Sequence, residues 1–155
     1  DTARFRTFIA QELDVSVDVE RGEFTVMAQE DHVRQLWTNL VSNAIKYTPP
    51  GGRVTVSLRR TDGRLRGAVQ DTGIGIKPDE LPRIFEDFYR TEAAKAVSAH
   101  GTGLGLSIVK GIVERYGGCV GVESEVGVGT TFTFELPLAV APRLGVPEGQ
   151  RVSTD

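Results

Sequence analysis

The chain has a single cysteine, Cys119, among 155 residues. An internal disulfide and a multi-cysteine metal site are therefore excluded, and a reducing compartment is expected. No apolar run approaches the ~20 residues of a bilayer-spanning helix, and no signal peptide opens the sequence. Positive charge is not in excess: the formal net charge is −3, which argues against a nucleic-acid binder that works through a basic face. There is no internal repeat and no low-complexity block. The best-known phosphate-binding signatures are missing as well. Neither GxxxxGKS nor GxxxxGKT occurs, Gly101, Gly103 and Gly105 do not spell GxGxxG after a strand, and the protein-kinase motif set is absent.

What remains is ordinary in bulk, with 39% apolar and 25% charged residues in a length that fits one domain, or one domain with a tail. The opening at Asp1 without Met leads us to expect a piece of a longer chain. Glycine is the visible surplus, at 18 residues.

Residues 1–13 are expected to form the end of an upstream helix, with Phe5, Phe8, Ile9 and Leu13 on one side. "VSVDVE" (15–20) alternates and, after "RGE", so does "FTVMA" (24–28), which predicts a β-hairpin. From Asp31 the period changes: Val33, Leu36, Trp37, Leu40, Val41, Ala44 and Ile45 follow helical spacing until Pro49 and Pro50. "RVTVSL" and "LRGAVQ" flank an Asp-Gly turn and predict a second hairpin. A glycine loop, "DTGIGIKPDE" (71–80), precedes "LPRIFEDFYR". Residues 91–100 are small and polar, with little to anchor them. "GTGLGL" (101–106) opens another amphipathic helix, and "CVGVES" with "TTFTFEL" predicts a last hairpin, in which Cys119 reads as a small core residue. Residues 139–155 show no period and read as a flexible C-terminal tail. The order hairpin, helix, hairpin, loop, helix, hairpin predicts an α+β two-layer sandwich, its sheet largely antiparallel with helices gathered on one face.

Chemistry gathers at three places. On a 3.6-residue wheel Asn39, Asn43, Lys46 and Tyr47 share an arc of roughly 100° bordering the apolar stripe. Asparagine is a mediocre helix former, so two of them there suggest a task other than helix stability. An amide oxygen suits Mg²⁺, a lysine suits phosphates, and a tyrosine ring suits stacking on a base. In "DTGIGI" an aspartate ends a strand and two glycines follow; such an acceptor-only group would select an exocyclic amine such as that of adenine. "GTGLGLSIVK" is a glycine run entering a helix, where free N–H groups and the helix dipole favour phosphate. Taken alone, the polar arc also reads as solvated helix, and each loop as a structural turn.

In this order the blocks resemble the catalytic, ATP-binding domain of bacterial sensor histidine kinases. The N box runs from Asn39 to Asn43 with "AIKYTP" after it; then come the first glycine box "DTGIGI", the F box "IFEDFYR" and the second glycine box "GTGLGLSIVK". The ending "GVGTTFTFELP" is similar too, and the resemblance spans about residues 14–138.

The resemblance implies a Bergerat-type sandwich that binds ATP with Mg²⁺. Asn43 would ligate the metal, with Asn39 close by. Lys46 and Arg90 would reach the phosphates, and Tyr47 would line the adenine site. Asp71 would accept from the adenine amine beside Gly73 and Gly75. Residues 89–102 would form a flexible lid hinged at glycines. The amides of Gly101, Thr102, Gly103, Leu104, Gly105 and Leu106 would cradle the phosphates, and Thr130 would support the adenine site. Asn39, Lys46 and Arg90 are the expected catalytic residues. Related ATPases keep a glutamate at the position of Asn39, and an amide cannot act as a general base near neutral pH. The only histidines, His32 and His100, lack the setting of a phosphoacceptor and read as incidental surface residues. The resemblance therefore implies an acceptor histidine on a dimerisation domain outside this chain, and a cognate response regulator. It also implies a place in the cytosolic portion of a membrane-anchored sensor, with no nucleic acid and no direct membrane contact.

Overall fold

The computed structural model describes residues 2–8 and 12–139. It contains six strands in one sheet: β1 (Thr2–Phe8), β2 (Asp14–Glu20), β3 (Arg53–Thr61), β4 (Arg64–Asp71), β5 (Cys119–Glu125) and β6 (Gly129–Pro137), in the order β1-β2-β3-β4-β6-β5. Every pairing is antiparallel except β2 with β3. That parallel pair is bridged by α1 (Glu30–Lys46), as a parallel connection requires. The sheet is thus mixed and mostly antiparallel, as expected.

Alternation sets the two faces. Val54, Leu65, Val69, Phe132, Phe134 and Leu136 are buried toward the helices, where they meet Leu36, Leu40 and Ala44 of α1 and Val109, Ile112 and Val113 of α3 (Gly105–Arg115), which the short α2 (Glu92–Val97) precedes in the chain. Gly67 lies in this row. A Cβ there would come within 2.4 Å of the Phe134 ring and 2.9 Å of Trp37, and the space it leaves lets those two rings meet edge to face at 5.0 Å. The opposite face carries cross-strand charge pairs such as Arg64 and Arg66 with Glu135. At the predicted Asp-Gly turn, Asp62 and Gly63 both adopt positive φ, as a tight hairpin demands.

Three expectations fail. Residues 2–8 are not helical: β1 pairs antiparallel with β2, and Arg4–Asp18 and Arg6–Asp14 ion pairs cross between the two strands. Phe5 is exposed rather than packed on a helical face, although Leu13 is fully buried; Ile9 lies outside the described residues. Residues 24–28 form no strand. Both edges of β2 are already taken, by β1 and by β3, while the Arg60 guanidinium donates to the carbonyls of Arg21 and Glu23 and lies 4.1 Å from the Phe24 ring centroid. Finally, Cys119 is exposed, because it pairs with Glu135 on the outward face while Val120 and Val122 take the inward positions. The tail expected from 139 lies outside the described residues after Ala139.

Candidate functional site

The inward row of β4 reads Leu65, Gly67, Val69, Asp71, and its partners on β6 are Leu136, Phe134, Phe132, Thr130. A row that is apolar through the sheet centre therefore ends in a carboxylate facing a hydroxyl-bearing residue. Asp71 is only 8% exposed. Its Oδ1 accepts from the amides of Gly73 at 2.9 Å and Thr130 at 3.2 Å, and no other hydrogen bond reaches the carboxylate among the described residues. Burial pushes its pKa above the ordinary carboxylate range, and the two amide bonds pull back against that rise. The Thr130 hydroxyl is fixed at 2.8 Å from that of Ser124, which also accepts from the amide of Ile76.

A cavity of about 260 Å³ opens above this corner, between α1, α3 and the segment joining β4 to α3. Asn39, Asn43, Lys46, Tyr47, Asp71, Gly75, Arg90, Gly101, Thr102, Gly103, Gly105, Leu106 and Thr130 all line it. Gly73 and Leu104 do not. Gly73 serves the cavity indirectly: a Cβ there would fall 2.3 Å from the Tyr47 carbonyl, to which the amide of Ile74 donates, so the loop lies flush on the end of α1. Gly75 takes φ +77°, and its missing Cβ leaves room for the Glu125 carbonyl. The carbonyl of Leu104 accepts from the amide of Ile108 and the hydroxyl of Ser107 at the start of α3.

The α1 wall is polar, as the helical wheel predicts. Asn39 donates from its side-chain amide to the Gly105 carbonyl at 3.3 Å, which ties α1 to the start of α3. The side chain of Asn43 makes no hydrogen bond among the described residues, so its amide oxygen is unclaimed. Lys46 is exposed, with Nζ 5.5 Å from the Tyr47 ring centroid. No side chain caps α3, so its first-turn N–H groups are open beside Gly103 and Gly105, an arrangement that suits an anion. Among the described residues there is no cluster of three or more His, Cys, Asp or Glu side chains. A cation in this cavity would therefore rest on neutral amide oxygen and on groups brought by a ligand.

Some lining residues escaped sequence reasoning. Ile74, Ile76, Ile84 and Phe132 supply an apolar wall, suited to the flat face of a base. Ile74 and Ile76 alternate with the glycines of "GIGI", a signal taken above only for its glycines, and Ile84 opens "IFEDFYR". Neither histidine lines the cavity. His32 Nδ1 lies 2.5 Å from the Tyr116 hydroxyl, which also accepts from the amide of Gln29, so this residue ties the start of α1 to the end of α3.

Residues 28–140 match the family model described as histidine kinase-, DNA gyrase B- and HSP90-like ATPase. The solved structure of the mycobacterial sensor histidine kinase MprB superposes with a TM-score of 0.75 at 32% identity, covering 84% of this chain and 86% of that one. The chain belongs to the ATP-binding catalytic domains of the sensor histidine kinases. Sensor histidine kinase RppB of Synechocystis sp. is 42% identical over 134 residues, 86% of this chain but 30% of RppB. Histidine protein kinase DivJ of Caulobacter vibrioides is 44% identical over 121 residues, 78% of this chain and 20% of DivJ. The chain thus spans less than a third of these curated relatives. A full-length structure of ShkA, in complex with AMPPNP, matches at a TM-score of 0.71 and 38% identity, over 86% of this chain and 27% of that one. The sheet and its helices are accordingly the Bergerat-type histidine kinase catalytic fold. No helix among the described residues is long and apolar enough to cross a membrane.

Proposed function

We propose that this domain binds Mg·ATP and presents the γ-phosphate to a histidine on a dimerisation domain outside the chain, for onward transfer to a response-regulator aspartate. On this reading it works on the cytosolic side of a membrane-anchored sensor. The observation that carries the proposal is the buried Asp71 carboxylate, oriented by two backbone amides at the floor of a cavity whose other end offers open helix amides.

Each residue then has a task its surroundings support. Asp71 accepts from the exocyclic amine of adenine through its unclaimed oxygen. Tyr47, Ile74 and Ile76 flank the base. Asn43, whose amide has no partner among the described residues, fits a Mg²⁺ ligand, with Asn39 beside it. Lys46, Arg90 and the amides at the start of α3 hold the phosphates. Mg²⁺ would supply charge neutralisation for the transferring phosphoryl group. The chain's own part is to fix the base, align the phosphates and leave the γ end accessible. Among the described residues Asp71 is the only carboxylate lining the cavity, and on this reading it is committed to the base end. Among the described lining residues no other carboxylate and no histidine is left to take a proton from an attacking water, which favours transfer to a histidine over the hydrolysis of a dimeric ATPase.

Calorimetric titration with ATP, with and without Mg²⁺, on the native domain and on Asp71→Ala tests this. A hydrogen bond to a charged acceptor contributes roughly 1.5–3 kcal/mol, so the variant should bind about tenfold more weakly or worse. Equal affinity in both proteins would remove Asp71 from the base site. No binding to the native domain would favour a partner-binding module with lost kinase activity.

A further inference from the structure

The polar row at the end of the sheet continues past the cavity. Asp71 of β4 faces Thr130 of β6, and Thr130 faces Ser124 of β5 at the same register, whereas the row behind is Val69, Phe132 and Val122. Ser124 does not line the cavity. Its hydroxyl nevertheless lies within hydrogen-bond distance of three groups: the Ile76 amide at 2.8 Å, the Thr130 hydroxyl at 2.8 Å and the Gly129 carbonyl at 3.0 Å.

A serine hydroxyl holds one proton and two lone pairs, so these three contacts settle its bonding. The Ile76 amide only donates and takes one lone pair. The Gly129 carbonyl only accepts and takes the proton. What remains for Thr130 is the second lone pair, so the Thr130 hydroxyl donates to Ser124. Any other arrangement leaves two oxygens 3.0 Å apart or closer with no hydrogen between them. With its proton turned away, Thr130 shows a ligand only lone pairs. The ionised Asp71 carboxylate, whose Oδ1 is held by the amides of Gly73 and Thr130, likewise only accepts. The base end of the cavity is thus one acceptor beside another.

We propose that Ser124 determines base specificity without touching the base: by drawing the Thr130 proton out of the cavity, it denies a donor to any purine that carries an oxygen at position 6. This rests on the ATP reading and adds to it a residue that tunes the site. Adenine brings an amine, which donates, to these acceptors. Guanine and hypoxanthine bring a carbonyl oxygen, which meets lone pairs alone. A Thr130 free to turn would donate to that oxygen while Asp71 accepted from the ring N1–H, and the site would take both classes. Ser124 is therefore a positioning residue that acts through Thr130.

Competition against a fluorescent ATP analogue, with Mg²⁺ present, would compare ATP with inosine triphosphate, which exchanges the amine for a carbonyl oxygen and carries a hydrogen on N1. The native domain, Ser124→Ala and Ser124→Thr would be measured side by side. An acceptor buried without a donor is rejected by about tenfold or more, so the preference for ATP should fall by about that factor in Ser124→Ala. Ser124→Thr keeps the hydroxyl and should keep the native preference. Loss of the Ile76 bond weakens both nucleotides alike and cancels in the ratio, so a merely structural role would not move it. Should the alanine variant fail to fold or to bind, Ser124→Cys, similar in shape and a poor acceptor, makes the same comparison. An unchanged ratio in a variant that still binds ATP overturns the assignment, and so does equal relaxation in Ser124→Thr. Failure of the native domain to bind ATP overturns the ATP reading and this assignment with it.

Discussion

On the proposed reading Asp71 serves a ligand, and it does so at some expense to the fold. Burial raises its pKa, so ionising it costs the native state more than the unfolded chain. The sign follows: the contribution of Asp71 to stability is fullest below the ordinary carboxylate pKa of about 3.9, and it is lost as pH rises through the higher folded value. Asp71→Asn keeps an oxygen for the amides of Gly73 and Thr130 without the charge. We expect this variant to melt above the native domain at neutral pH in the absence of nucleotide, with the gap closing as pH falls into the carboxylate range. Thermal melts across that range check it, and a lower melting temperature for the variant at neutral pH would contradict it. Asp71 was legible in the sequence because a strand's alternation, carried one step past its last apolar residue, lands on it. His32 was not. Its partner Tyr116 is remote in sequence, and nothing in "EDHVRQ" announces a contact that only the packing of α1 on α3 creates.

At the scale of elements, local signals succeeded where local forces decide. The helix α1, the Asp-Gly hairpin and the final hairpin follow from period and turn chemistry alone. Non-local partners won elsewhere. β1 exists because β2 offers it a free edge and acids for its arginines, and residues 24–28 find both edges of β2 taken, by β1 and by β3. The short helix at residues 92–97 was illegible for a related reason: its contacts come from Glu80, Arg90 and Thr91, all outside the helix. Contact between layers rests on a missing atom as much as on those present. Gly67→Ala would drive a methyl group into Phe134 and Trp37, and overpacking of this kind costs about 1–3 kcal/mol. Denaturant unfolding should record that loss, and a neutral result would mean that the two rings can separate freely.

For the whole molecule, the balance of motifs predicts a donor without an acceptor. His32 is engaged with Tyr116, and neither histidine lines the cavity. The purified domain, incubated with γ-labelled ATP, should therefore retain no stable label and release phosphate slowly. Stable labelling, or rapid release, would contradict the reading of Asn39 and of the missing acceptor. The register that joins Asp71 to Thr130 has a further consequence. Between them the chain departs from β4 after Asp71, rejoins the sheet at β5 on the edge beyond β6, and comes back along β6 to set Thr130 against Asp71. The proposed lid, residues 89–102, thus lies on a connection whose two ends are pinned to each other. Closing a flexible loop costs only about 0.6 kcal/mol more for each doubling of its residues. A lineage can therefore lengthen, shorten or rewrite this cover, and retune how long a nucleotide stays, without renegotiating the framework beneath it.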